Sequence, residues 1–187
     1  MTSMNDQAQL TIRRVVEDDW RMVRAVRLEM LRDTPLAYCE TVEEAEAADE
    51  EQWRFRARRG QSGPTNIQLA AETGSGSWAG FLACFVESPG QGHVVSVFVA
   101  PAWRGTGLAT QMFEAVRRWA RDEAGLQRLR LLVHEDNPRA RAFYRREGFT
   151  ETGATEPYPL DPAQREIEMA TTLTGKVVDS AHAALER

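Results

Sequence analysis

The feature that most constrains this chain is one continuous stretch, from His93-Val94-Val95-Ser96-Val97-Phe98-Val99 through Ala100-Pro101-Ala102-Trp103-Arg104-Gly105-Thr106-Gly107-Leu108-Ala109. The run from His93 to Val99 is rich in β-branched residues, which suits a buried central strand. Pro101 and the two glycines then force a turn. Beyond it Leu108, Met112, Val116 and Trp119 recur on one face at helical spacing. A helix start leaves several backbone N–H groups without internal partners, aimed outward with the positive end of the helix dipole. Gly105 and Gly107 let the backbone approach an anion, and Ala109 is small for the same reason. Arg104 either adds charge or braces the loop. Strand, glycine turn and helix together predict a pyrophosphate cradle; the plainer alternative is a tight connection whose glycines serve geometry alone.

The flanking segments wrap one sheet around that stretch. Residues 11–16 read as a first strand, followed by a helix capped by Asp18 or Asp19 and running to about Leu31, with Trp20, Val23, Val26, Leu28 and Leu31 inward. Asp33-Thr34-Pro35 breaks it. A second, acidic helix is expected from Thr41 to Arg59, stopped by Gly60. Residues 66–72 and 78–87 read as a hairpin across the turn TGSGS, and residues 88–92 as another turn. The helix after the cradle runs from about Gly107 to Ala124 with Gly125 at its end, and residues 128–133 form a strand. Asn137-Pro138 starts a helix that Gly148 ends. Phe149–Thr152 and about Arg165–Thr171 read as closing strands. The class is therefore α/β (α+β), a mixed, mostly antiparallel central sheet with helices on both faces. One domain over 10–172 is expected, between a tail at 1–9 and a tail at 173–187 that could be helical from Gly175.

Bulk properties narrow the partners. The chain has 187 residues, 42% hydrophobic and 27% charged, ordinary for a globular protein. No apolar run approaches the ~20 residues of a membrane span, and MTSMNDQAQL lacks the basic flank and apolar core of a signal peptide. A cytoplasmic protein with no membrane partner is expected. A net charge of −5 disfavours nucleic acid. Cys39 and Cys84 are too far apart for a disulfide framework, and the histidines are scattered singly, so no metal is expected.

A second motif follows the first: Asn137-Pro138-Arg139-Ala140-Arg141-Ala142-Phe143-Tyr144-Arg145-Arg146-Glu147-Gly148-Phe149. Each residue alone suits a capped amphipathic helix, with Phe143 inward and Tyr144 at its edge. The two elements in this order resemble the GCN5-related N-acetyltransferase (GNAT) family. The turn matches that family's Arg/Gln-x-x-Gly-x-Gly/Ala signature at Arg104, Gly105, Thr106, Gly107, Leu108 and Ala109. The later helix matches its Asn-x-x-Ala-x-x-Phe-Tyr-x-x-x-Gly-Phe segment. The resemblance implies acetyl-CoA as co-substrate. Val97, Phe98 and Val99 would splay from the neighbouring strand to meet the pantetheine arm, and the amides of Gly105 to Ala109 would hold the pyrophosphate. Asn137 would reach the pantetheine, Tyr144 would lie near the thioester sulfur, and members often form homodimers.

The chemistry makes its own demands. A primary amine rests in water as a cation with a pKa near ~10.4, so a base must remove a proton before attack. His93, opening the central strand, is the leading candidate; Glu87 and Glu40 are weaker, and His134 reads as a bystander. The departing thiolate, with a pKa of roughly 8.5, wants a proton, which suits Tyr144. Tyr38, Cys39, Glu40, Thr41, Glu43 and Glu44 lie between the first helices, where the resembled fold walls its acceptor site, so Tyr38 and Glu40 are candidate acceptor contacts. Trp103 reads as core or as a cover over the cofactor. The expected activity is transfer of acetyl from acetyl-CoA to a primary amine of a small molecule or peptide, directly in a ternary complex, since no cysteine sits in either motif. The alternatives are a non-catalytic CoA-binding sensor on the same fold and a nucleotide-binding domain of another class. The second lacks both a full dinucleotide fingerprint and a Walker lysine.

Overall fold

The structure, a computed structural model, describes residues 10–173; the tail expected to be helical from Gly175 lies outside them. The strands are β1 (Thr11–Arg14), β2 (Asn66–Glu72), β3 (Trp78–Ser88), β4 (Gln91–Val99), β5 (Arg128–His134), β6 (Thr150–Tyr158) and β7 (Asp161–Thr172). They form one seven-stranded sheet in the order β1-β2-β3-β4-β5-β7-β6. Every pairing is antiparallel except β4 with β5, because the helix between those two carries the chain back across the sheet. The closing strands are longer than expected from sequence. Leu173, placed beyond the domain boundary, is buried against the core.

The helices are α1 (Trp20–Asp33), α2 (Val42–Ala47), α3 (Glu50–Arg58), α4 (Leu108–Asp122) and α5 (Pro138–Arg146). They bury two cores, one on each face. Leu108, Met112, Phe113, Val116 and Trp119 of α4 pack with Leu129, Leu131 and Phe149 on one side. Trp20, Val23, Val26, Met30 and Leu31 of α1 pack with Trp53, Phe81 and Phe98 on the other. β3 is buried along most of its length because both faces are covered.

Two local expectations are corrected. The acidic segment is two helices, since Ala48 is extended and each helix carries its own capping box, Thr41 with Glu44 and Asp49 with Gln52. Asp19 starts α1 without capping it, because its carboxylate accepts from the Val16 amide and from Arg13. Gly60 does follow the second of the acidic helices, yet its φ is not positive. A Cβ there would come within 2.7 Å of the Gln68 backbone nitrogen on β2, so the glycine admits a close approach. Gln68 Nε2 also donates to the Arg56 carbonyl at 2.9 Å, pinning α3 to β2. Gly60→Ala is therefore expected to lower stability by about 1–3 kcal/mol through overpacking, read as a lower urea midpoint with an unchanged m-value.

Candidate active site

The site begins where β4 and β5 part. Their parallel register holds only for Gln91 with Arg128, Gly92 with Leu129 and His93 with Arg130. On the other edge of β4, Phe98 lies opposite Phe81 and Val95 opposite Ala83, so Ser96 and Val97 face Leu82 alone. That is a β-bulge, with Ser96 left-handed at φ 55°. The extra residue turns the strand so that Val94 and Val97 both face the α4 core while Val95 and Phe98 face the α1 side. β4 was expected to be buried throughout; Val95 to Val97 are only half-buried because they border a cleft of about 840 Å³.

The cradle closes one end of this cleft. Gly107, at φ 86°, is the N-cap of α4, and Gly105 is also left-handed at φ 80°. A Cβ on either would meet nothing within 4 Å. Among the described residues no acceptor takes the amides of Gly105 to Thr110, so the turn fits an anion. Leu108 is buried in the core and can offer only its backbone. Thr106 Oγ1 donates to the Trp103 carbonyl at 2.7 Å, and Trp103 serves both as core and as cleft wall. Arg104 braces: its Nε donates to the Val99 carbonyl at 3.0 Å and its other end pairs with Asp33, holding that carboxyl below the usual range. Asn137 Oδ1 caps α5 by accepting from the Ala140 amide at 3.1 Å, which leaves its Nδ2 for other contacts. Arg139 and Arg146 also line this end and pair with no carboxylate among the described residues. They were missed in an arginine-rich segment where nothing marks one arginine from the next.

The other end gathers the titratable groups. Tyr144 stands edge-on to Phe113, ring centroids 6.0 Å apart, and its hydroxyl bonds to no described residue. Burial pushes its phenol up, so it keeps its proton. Tyr38 lines the cleft, but its hydroxyl donates to the Val97 carbonyl at 3.0 Å, bracing the bulge. Its own carbonyl accepts from Tyr158 at 2.9 Å. His93 lines the cleft at the last paired step of β4; burial, then Arg130, hold its pKa below the usual value, while Nδ1 sits 3.3 Å from Glu87. Glu87 is gripped by Arg130 and held down to about 2. Glu40 borders an adjoining hollow of about 760 Å³ instead, between Arg27 at 2.7 Å and Arg56 at 2.8 Å. Cys39, His134 and Glu166 complete this end. Nothing in the sequence marks Glu166, which is brought in from β7 by strand order alone.

A seven-stranded sheet whose parallel pair forks around a cleft, with a free helix N-terminus at one end and a buried tyrosine at the other, defines an acyl-CoA-dependent transferase class of fold. The family model described as "Acetyltransferase (GNAT) family" matches residues 26–149, more than half of the chain. The chain belongs to the GNAT acetyltransferases, enzymes that transfer acetyl from acetyl-CoA. It is similar to a GNAT-family acetyltransferase from Streptococcus pneumoniae, with 20% identity and a TM-score of 0.71 over 89% of this chain and 100% of that one. It is also similar to spermidine N-acetyltransferase from Vibrio cholerae, solved with CoA and spermine, at 17% identity and a TM-score of 0.69 over 89% and 96%. A nourseothricin acetyltransferase matches at 26% identity and a TM-score of 0.54 over 59% of this chain and 67% of that one.

Two outcomes follow from this geometry. Acetyl-CoA is expected to raise the melting temperature, and pantetheine without phosphates to raise it much less; Gly107→Val, forcing a branched side chain into a left-handed position, should abolish the acetyl-CoA effect. Equal shifts from both ligands would remove the cradle assignment. Glu40→Gln is expected to cost about 1–3 kcal/mol, because two guanidiniums lose a charged hydrogen-bond partner. Burial opposes ionisation of Glu40, but the bonds from Arg56 and Arg27 outweigh it and lower its pKa. A lowered folded-state pKa stabilises above the unfolded value of about 4.3. The difference between wild type and variant in urea melts should therefore shrink as pH falls through the folded pKa.

Proposed function

We propose that the cleft transfers the acetyl group of acetyl-CoA to a primary amine of a small molecule or peptide, by direct attack in a ternary complex. The observation that carries this is the parting of β4 from β5 after His93, which opens a backbone edge between the unpartnered amides of Gly105 to Thr110 and the Tyr144 hydroxyl. In this reading those amides hold the pyrophosphate, with Arg139 and Arg146 beside the phosphates. The edge from Val97 to Val99 and the free Nδ2 of Asn137 meet the pantetheine. A backbone N–H beside the bulge faces the oxygen that gains charge as the amine adds. His93, neutral at pH 7, stands at the closed end of the fork as one base. Tyr144, kept protonated by burial, gives its proton to the leaving sulfur.

Direct transfer is supported by both thiols. Burial pushes Cys39 up to about 11, with Glu166 adding to the effect, and pushes Cys84 up to about 12. Neither is a thiolate at neutral pH, so neither is an activated acyl acceptor. The V. cholerae neighbour, named for acetylating spermidine, supports a small-molecule amine as the acceptor class.

The test is CoA release from acetyl-CoA across a panel of primary amines. Tyr144→Phe is expected to lower kcat by about 10- to 1000-fold, in the range of general acid catalysis, with acetyl-CoA affinity unchanged. An unaltered kcat would make Tyr144 structural. If acetyl-CoA binds but no amine of the panel causes CoA release, a sensor is favoured.

A further inference from the structure

Three carboxylates line the cleft: Asp33, Glu147 and Glu166. Asp33 pairs with Arg104 and Glu147 with Arg117. Glu166, only 8% exposed, has no ion pair among the described residues; both its oxygens lie 4.0 Å from Cys39 Sγ. Directly across the β5–β7 register stands His134, 1% exposed. Its Nδ1 accepts from the Asp136 amide at 3.1 Å, which puts the proton of the neutral ring on Nε2. That Nε2 is buried and has no partner. The ring is fixed edge-on against Tyr158, centroids 4.7 Å apart. A carboxylate whose only donor among the described residues is the weak Cys39 thiol and an N–H with no partner therefore sit side by side on the cleft wall, both desolvated, a state that a bound molecule with the opposite pair would relieve.

We propose that Glu166 and His134 are the acceptor subsite: Glu166 holds the incoming ammonium and takes its proton, while His134 Nε2–H donates to an oxygen on the neighbouring carbon of the same molecule. The acceptor is then an oxygen-bearing primary amine, an α-amino carbonyl compound or a 1,2-amino alcohol. This rests on the amine-transfer reading above. Glu166 removes one proton from the ammonium and frees the lone pair. The nitrogen bonds to the thioester carbonyl carbon and the carbon–sulfur bond breaks. Sulfur takes the Tyr144 proton, and the tyrosinate recovers one from the nitrogen. Glu166 returns its proton to water, so the net products are one amide, one thiol and one proton.

Glu166 suits the task better than His93, which is tied to the Glu87–Arg130 pair and lies against Phe85 where β4 and β5 are still joined. Cys39 from the loop after α1, His134 from β5, and Glu156 and Tyr158 from β6 face Glu166. Burial, then Glu156, raise its pKa against the opposing effect of His134, which narrows the gap to the amine.

The experiment compares wild type, Glu166→Gln, Glu166→Asp, His134→Phe and His93→Ala with alaninamide, 2-amino-1-propanol and propylamine as acceptors, across pH, with acetyl-CoA thermal shifts as the check on folding. Glu166→Gln is expected to lower kcat about 100- to 10,000-fold at pH 7, with partial rescue at high pH and in Glu166→Asp, and with the acetyl-CoA shift intact. His134→Phe should erase the preference for alaninamide and aminopropanol over propylamine. In wild type kcat/KM should rise through one ionisation above the usual carboxylate range, a readout that survives even a poorly folded variant. Activity of Glu166→Gln within threefold of wild type, or a loss confined to His93→Ala, overturns the assignment of the base. Propylamine as the equal of the oxygen-bearing amines overturns the role of His134. If acetyl-CoA binds but no amine in a broader panel releases CoA, the amine-transfer reading falls and this inference falls with it.

Discussion

Between Val95 and Phe98, β4 uses two residues where β3 uses one, and the cleft depends on that extra residue. Without the bulge the side-chain alternation of β4 would run unbroken and its edge would stay parallel to β5. With it, the strand swings away after His93 and both of its faces still reach a core, Val97 on one side and Phe98 on the other. A non-glycine residue in the left-handed region costs of order 1 kcal/mol, and the surroundings hold Ser96 there. Tyr38 clamps the Val97 carbonyl, Tyr158 clamps the Tyr38 carbonyl, and Arg104 clamps the Val99 carbonyl. The clamps come from the loop after α1, from β6 and from the cradle turn, so three separate segments fix one kink.

Electrostatics then divides the cleft. The helix N-terminus, Arg139 and Arg146 make one end attractive to anions. Around the cleft and the hollow beside it, several carboxylates are already spent on arginines: Glu40 on Arg27 and Arg56, Asp33 on Arg104, Glu87 on Arg130. Glu40, expected as an acceptor contact, is held this way, and a carboxylate between two guanidiniums exerts little pull on a cation at a distance.

The elements whose causes are local were legible in the sequence. The Asn137-Pro138 helix start, the stripe of Leu108, Met112, Val116 and Trp119, and the glycines at 105 and 107 all follow from rules that act within one or two turns of chain. What was not legible depends on distant register. Glu166 and His134 meet because β7 inserts beside β5 ahead of β6, an order that no local pattern encodes. The break at Ala48 was hidden because helix-favouring residues flank it on both sides. Gly60 was understood as a helix stop when its reason is the backbone of β2, a partner remote in sequence.

One physical effect serves both proton transfers in the proposed reaction. Burial raises the pKa of any acid whose ionised form is the anion, and it raises both Tyr144 and Glu166. For the tyrosine this guarantees a proton in place for a leaving thiolate. For the glutamate it strengthens a base that would be too weak in water. The same dry wall works on the amine in the opposite sense, since desolvation disfavours the ammonium and lowers its pKa. Donor and acceptor are thereby drawn toward one another, with Glu156 adding to the rise at Glu166. An arginine or lysine beside Glu166 would undo this by pulling the carboxyl back down, as Arg130 does to Glu87. The lack of a cation at Glu166 among the described residues is thus as much a part of the site as the groups that are there.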